Sequence, residues 1–333
     1  MTKQILITDD SALARKQLSR TLPKDLDADV HFAENGNVAL DVLNSQPIDI
    51  MFLDLTMPEL DGYQTLEAMQ EAGMTTPVVV VSGDIQPLAQ QQVLERGAKD
   101  FVKKPISRER VDALIKAYLP DTSTVDTQRT HTSHEKLSRR DIYMEVVNIA
   151  MGQAADKLAR HCDVFVHMPL PQVNVFEVTE LTMTIRHLAQ SNTMNGVCQG
   201  FSGEGIAGEA LMLISDSSIT EMVQLLDYPD DGSVDNELEL LVDVSNILIS
   251  AFLRGLGEQA ALEFSQSYPA LLGQHADVDQ LIATMKGSWK RTVTIEVSYQ
   301  IDGTEIKCDL LLLLLDESLP LLDAKLAYLM DEE

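Results

Sequence analysis

The chain has 333 residues, 45% of them hydrophobic and 23% charged, with 25 basic against 52 acidic side chains and a net charge of −27. That length is a prior for two soluble globular domains with their own cores, and so acidic a chain repels a phosphate backbone, which argues against a nucleic-acid partner. The first apolar run is cut by Thr8-Asp9-Asp10 and the longest, Leu310 to Leu315, is too short for a bilayer, so a cytoplasmic protein without membrane insertion is expected.

The first third alternates strands and helices. Apolar runs predict strands near 4–8, 28–32, 48–53, 77–81 and 100–102, with amphipathic helices between them and at 107–118. That alternation implies an α/β domain with a doubly wound, five-stranded parallel sheet, because crossovers of this length are right-handed and cover both faces.

Polar residues gather at the carboxyl ends of these strands. Ile5-Leu6-Ile7 leads to Asp9 and Asp10, and Ile48 to Leu53 delivers Asp54. Val78 to Val81 ends in Ser82, and Asp100-Phe101-Val102 runs into Lys103-Lys104-Pro105. Three carboxylates converging where open α/β sheets bind ligands make a hard-cation site, with Mg²⁺ the natural occupant. A carboxylate facing Mg²⁺, a hydroxyl and a lysine is what phosphoryl transfer to an aspartate needs, since the added negative charge must be neutralised and its oxygens held. The plainer alternative is a set of ordinary strand-end polar residues.

The run Asp54-Leu55-Thr56-Met57-Pro58-Glu59-Leu60-Asp61-Gly62, taken with Asp9-Asp10 and Lys104-Pro105, resembles the CheY-type receiver domain of two-component signalling over residues 1–120. The resemblance implies that Asp54 is the phosphoacceptor and that Asp9 and Asp10 join it in holding Mg²⁺. It also implies that Ser82 and Lys104 contact the phosphoryl oxygens, that Phe101 is the switch aromatic, and that a histidine kinase or small phosphodonor supplies the phosphoryl group.

Residues 121–137 are rich in Thr, Ser and other polar groups with almost nothing to bury, which predicts a flexible linker, and His131 and His134 are expected to be solvated there. Residues 1–120 carry 12 basic and 18 acidic side chains, a net of −6, which leaves −21 for the remainder. No basic recognition helix follows residue 138. Cys162, Cys198 and Cys308 are far apart in apolar segments and are expected to be buried thiols.

Residues 138–333 contain an internal repeat. Asn148 recurs as Asn246, Pro171 as Pro269, the turn at Gly203 as Gly303, and Asp216-x-Ser218 as Asp316-x-Ser318, at offsets of 98, 98, 100 and 100 residues. Each copy runs long helix, strand, hairpin, short helix, with hairpin strands near 194–201 and 206–214 and near 291–301 and 305–315. This predicts a pseudo-two-fold α/β domain with a mostly antiparallel sheet flanked by helices.

On the two long helices Asp141, Glu145 and Asn148 are spaced i, i+4, i+7, as are Glu239, Asp243 and Asn246, so each trio shares one face. A carboxylate can pair with a partner's cation, and an amide can donate and accept at once. A solvated helix face is the plainer alternative. With Pro171 and Pro269, the doubled spacing resembles the signature of the CheC/CheX/FliY family of chemotaxis phosphatases. That resemblance implies that Glu145, and Asp243 in the second copy, pair with the lysine of a phosphorylated CheY-like receiver. It implies equally that Asn148 and Asn246 align water behind the aspartyl phosphate. Asp243 and Glu239 depart from the family pattern, and a carboxylate one methylene shorter loses reach, so the first copy is expected to be the stronger site. The expected protein is a response regulator with a phosphatase output, the alternative being a non-enzymatic binding module or phosphate sink.

Overall fold

The computed structural model describes residues 2–119, 138–177, 183, 193–226, 234–276 and 291–329. The expected linker at 121–137, with His131 and His134, lies outside the described residues. The chain divides into two compact units, Met1–Glu145 and Val146–Glu333.

The first unit is built on strands β1 (Lys3–Thr8), β2 (Ala28–Ala33), β3 (Ile50–Leu53), β4 (Val78–Ser82) and β5 (Asp100–Lys103). They form one sheet in the order β2-β1-β3-β4-β5, and each ladder is parallel. Helices α1 (Ala12–Thr21), α2 (Gly36–Ser45), α3 (Gly62–Glu71), α4 (Pro87–Glu95) and α5 (Arg108–Tyr118) complete the expected doubly wound architecture.

Period-two alternation splits each strand between two cores. Ile5, Ile7, Ile50, Phe52, Val79 and Val81 pack with Leu18 of α1 and Val111, Leu114 and Ile115 of α5. Leu6, Met51, Leu53, Val78 and Val80 pack with Ala39, Leu66, Met69 and Val93 of α2, α3 and α4. Such strands read as continuous apolar runs because both faces are covered.

Caps fix where the helices begin. The Ser11 hydroxyl accepts from the Ala14 amide at 3.1 Å, Asn35 Oδ1 accepts from Val38 at 3.0 Å, and Asp61 forms a capping box with Gln64. Gly62 follows that cap because nothing larger fits: a Cβ there would stand 2.3 Å from the Asp54 carbonyl oxygen and 2.7 Å from Leu55 Cα. The Asp-Gly step of the motif thus seats the start of α3 against the backbone that carries Asp54.

Helix α6 (Arg139–Cys162) spans the division between the units. Beyond it come β6 (Val166–His167), β7 (Gln172–Glu177), β8 (Met194–Gly203), β9 (Ile206–Ser215), α7 (Asp216–Leu225) and α8 (Val234–Ala260). The second copy begins with α8 and supplies β10 (Ser265–Gln266), β11 (Ala270–Ala276), β12 (Arg291–Ile301), β13 (Lys307–Leu315), a 3₁₀ turn at Asp316–Ser318 and α9 (Leu319–Leu326).

One eight-stranded sheet unites both copies in the order β10-β8-β9-β13-β12-β6, with β11 also on β8 and β7 also on β12. Its ladders are antiparallel throughout the described residues. The copies meet at β9 and β13, where Leu211 pairs with Leu311, its own equivalent at the 100-residue offset. The local two-fold axis therefore passes between these leucines.

The edge strands are exchanged. β6 and β7 of the first copy pair with β12 of the second, while β10 and β11 of the second pair with β8 of the first. The repeated serines make the same crossing. The Ser318 hydroxyl accepts from the Ala207 amide at 2.9 Å, and the Ser218 hydroxyl accepts from Lys307 at 3.2 Å, so each short helix holds the other copy's hairpin.

The two hairpin turns differ. Strands β8 and β9 close through Glu204 and Gly205, both at positive φ, the pattern of a tight two-residue turn. The second closes through the longer loop 302–306 with Gly303 at φ 71°. Gly203 itself lies in β8, one residue before the turn that its equivalence to Gly303 predicts.

Within α8, Asn236–Ala260 is long and apolar enough to cross a membrane by length and composition, although polar residues interrupt its apolar runs. Leu240, Leu241, Val244, Leu248, Ile249, Phe252 and Leu256 are buried in the unit. Helices α6 and α8 are joined by Gln153 Nε2 donating to Glu258 Oε2 at 2.9 Å. The three cysteines are free thiols; Cys162 and Cys308 are buried and Cys198 is half-buried. Burial raises the Cys162 thiol to about 11, and burial with the nearby Glu209 carboxylate raises Cys198 to about 12.

Candidate functional sites

In the first unit the strand order 2-1-3-4-5 across the sheet reverses direction between β1 and β3, the place where open α/β sheets leave a crevice at their carboxyl edge. Asp9 and Asp10 follow β1 and Asp54 follows β3. Their carboxylate oxygens come within 4.8 Å of one another.

The backbone holds these loops tightly. The Asp54 amide donates to the Thr8 carbonyl at 2.9 Å, tying the two strand ends together. Asp9 Oδ1 accepts from the Ser11 amide at 2.9 Å, and Arg15, reaching back from α1, donates to the Asp9 carbonyl at 2.6 Å. Arg15 was not picked out by sequence pattern, although its position one turn into the helix after the acidic pair is the signal that could have found it.

Lys104 enters from the end of β5. Its backbone amide donates to the Ser82 carbonyl at 2.8 Å, and its ammonium stands 2.6 Å from Asp9 Oδ2, 3.5 Å from Asp54 Oδ1 and 3.5 Å from Oε1 of Glu145, the last residue of the unit. Burial opposes the lysine's charge, but Asp54 and Asp9 outweigh it and hold the ammonium's pKa well above its usual value. Ser82 is buried, its hydroxyl accepting from the Asp84 amide at 3.1 Å. Phe101 is partly buried and packs on the α2–α4 face. The structure thus brings Asp9, Asp10, Asp54, Ser82 and Lys104 to one sheet edge and sets Phe101 on β5 beside it.

This acidic cluster fits a divalent cation. Burial raises the Asp10 carboxyl to about 7, with the Asp9 charge adding to it, and burial likewise raises Asp54. Both effects come chiefly from carboxylates held out of water, against which the Lys104 ammonium pulls the other way. Asp10 Oδ1 and Asp54 Oδ1 are buried with no hydrogen-bond partner among the described residues. Clustered carboxylate oxygens, two of them buried, are the donor set a hard cation takes.

The second candidate site lies on two helix faces. On α8 the faces separate cleanly: Leu240, Leu241, Val244 and Ser245 are buried, whereas Glu239, Asp243 and Asn246 are exposed. On α6 Glu145 and Asn148 are both buried, and Asn148 Oδ1 has no hydrogen-bond partner among the described residues. Asp141 instead serves its own helix, its Oδ2 accepting from the Ser138 amide at 2.7 Å and from the Ser138 hydroxyl at 2.8 Å. Pro171 is buried beside β7, and Pro269 is partly buried beside β11.

Residues 5–116 match the model of the response regulator receiver domain. Over 111 residues the chain is 32% identical to the chemotaxis protein CheY of Bacillus subtilis, an alignment covering 33% of this chain and 92% of that one. Over 115 residues it is 31% identical to a two-component response regulator of Oryza sativa subsp. japonica, covering 34% of this chain and 91% of the other. It spans only 27% of another relative, a protein-glutamate methylesterase/protein-glutamine glutaminase of Treponema pallidum, at 38% identity over 108 residues and 32% of this chain. Among solved structures, Thermotoga maritima FliY is 16% identical, with a TM-score of 0.44 over 60% of this chain and 99% of that one.

Proposed function

We propose that this chain, which belongs to the response regulator family, takes a phosphoryl group on Asp54 and carries an output domain, residues 138–333, that hydrolyses the aspartyl phosphate of CheY-type receivers. The receiver domain belongs to two-component and chemotaxis signalling, and receiver domains bind Mg²⁺ at an acidic site of the kind formed by Asp9, Asp10 and Asp54. When bound there, Mg²⁺ neutralises charge on the phosphoryl oxygens. The chain's own groups do the rest. Asp54 presents a carboxylate oxygen to a phosphodonor or histidine kinase, the Lys104 ammonium faces that oxygen, and Ser82 lies at the adjoining strand end to hold a further phosphoryl oxygen.

The observation that carries the output reading is the doubled acid-and-asparagine spacing on α6 and α8, whose second copy, Asp243 and Asn246, is exposed. In this reading Glu145 and Asp243 each pair with the lysine of a docked receiver, and Asn148 and Asn246 each hold water in line with its acyl phosphate. An acyl phosphate is already activated, so no covalent intermediate on the phosphatase is needed and positioning supplies most of the acceleration. The test is phosphate release from a separate phosphorylated receiver mixed with the full chain. Turnover beyond the receiver's own decay is expected, and stoichiometric loss of phosphate without turnover would replace the phosphatase by a phosphate sink.

A further inference from the structure

Asn246 does not stand alone on its helix. Ser250, one turn further along α8, places its hydroxyl oxygen 3.2 Å from Asn246 Oδ1 and 2.9 Å from Gln266 Oε1. Gln266 lies on β10 and is itself clamped: it pairs with Phe201 in the sheet, and the next residue, Ser267, donates its backbone amide to the Gly200 carbonyl at 2.8 Å. The three side chains form a short chain from the sheet edge to the exposed amide of the proposed site. Ser250 and Gln266 also line a cavity of about 1010 Å³ bordered by Arg254, Glu258 and Phe264, so the chain runs along an open groove.

A hydroxyl has one proton, so Ser250 donates to only one of the two carbonyl oxygens and must accept from the other amide. If it donates to Asn246 Oδ1, Gln266 turns its Nε2 toward the serine oxygen. If it donates to Gln266, Asn246 presents Nδ2. In either arrangement the Asn246 carboxamide is locked to that of Gln266, whose backbone the sheet fixes. Among the described residues the first copy shows no such device. Glycine, Gly152, stands one turn beyond Asn148, and Asn148 Oδ1 has no hydrogen-bond partner among the described residues.

We infer that Ser250 and Gln266 are positioning residues for Asn246, setting the rotamer and the amide orientation with which it meets water at the second phosphatase site. The inference rests on the proposed function and deepens it. Loss of the relay leaves Asn246 on its helix but free to turn, which costs about tenfold in kcat, less than the roughly hundredfold of an ångström-scale misplacement. Docking through Asp243 is untouched, so KM does not change.

The experiment uses the full chain carrying Asn148→Ala, so that only the second site turns over a separate phosphorylated receiver. In that background Ser250→Ala and Gln266→Leu are each expected to lower kcat about tenfold at constant KM, and Ser250→Thr, which keeps the hydroxyl, is expected to restore it. Turnover that needs Asn246 yet is the same with Ser250→Ala overturns the inference alone, as does a Ser250→Thr variant no better than Ser250→Ala. Turnover indifferent to Asn246→Ala also overturns it. If the parent chain and the Asn148→Ala variant both fail to release phosphate, the proposed function falls and takes the inference with it.

Discussion

The two candidate sites are assembled by different geometry. At the sheet edge of the first unit, Asp9, Asp54, Ser82 and Lys104 come from four strand ends and meet only because the parallel sheet is folded. On α8, Glu239, Asp243, Asn246 and Ser250 share a face through the helical period of one segment. The first kind of site is inseparable from its fold and stores buried charge. The second needs only a helix turned the right way, and it leaves the amide's orientation to neighbours such as Gln266.

The largest expected effect bears on the sheet-edge site. Asp54→Asn removes the carboxylate that faces Lys104, and labelling by acetyl phosphate with Mg²⁺ should fall to background. An undiminished label would move the acceptor elsewhere and dissolve the contrast. Asn148→Ala with Asn246→Ala should leave that labelling intact while lowering phosphate release from a separate receiver by about a hundredfold. Of the single variants, Asn148→Ala should cost more, because Asp243 is a methylene shorter than Glu145. The reverse ranking in initial rates would show that the locked amide of the second copy matters more than carboxylate reach.

Stability sharpens the same contrast. Gly62→Ala forces a Cβ to within 2.3 Å of the Asp54 carbonyl oxygen and should destabilise the first unit by about 1–3 kcal/mol in urea unfolding. Glu239→Ala on the exposed helix face should stay within about 0.5 kcal/mol. An equal loss in both would mean that the helix face is as deeply embedded as the sheet edge. The smallest effect concerns the thiols. With Cys162 near 11 and Cys198 near 12, both are protonated at pH 8, and alkylation in the native chain should be far slower than after unfolding and should quicken as pH rises. Prompt native alkylation at pH 8 would show that the sheet around Cys198 opens.

The strand-end residues were legible because fully buried parallel strands leave long apolar runs that stop at a polar residue. The repeat was legible too, since its equivalent asparagines, prolines and serines recur at nearly constant offsets. What sequence could not reveal was the exchange of β7 and β11 between copies, because an offset identifies equivalent strands without saying whose hairpin each one joins. Ser250 escaped for a different reason: its value depends on Gln266, sixteen positions onward and brought back by the turn after α8. The apolar stripe of α8 escaped because charged and polar residues interrupt it every turn, although its buried face is continuous.

The exchanged strands bear on how the second unit is made. As the chain leaves the ribosome, β7 waits for β12, and β8 keeps an unpaired edge until β10 and β11 arrive. Long-range antiparallel pairings of this sort are slow to form, and a half-made sheet offers its bare edge to any neighbouring chain. A fragment ending after α7 would hold a complete repeat by sequence and an incomplete sheet by structure. Each copy therefore completes the other's sheet, so losing the activity of one copy by point mutation leaves the sheet whole, where losing the copy itself strips the other of its edge strands.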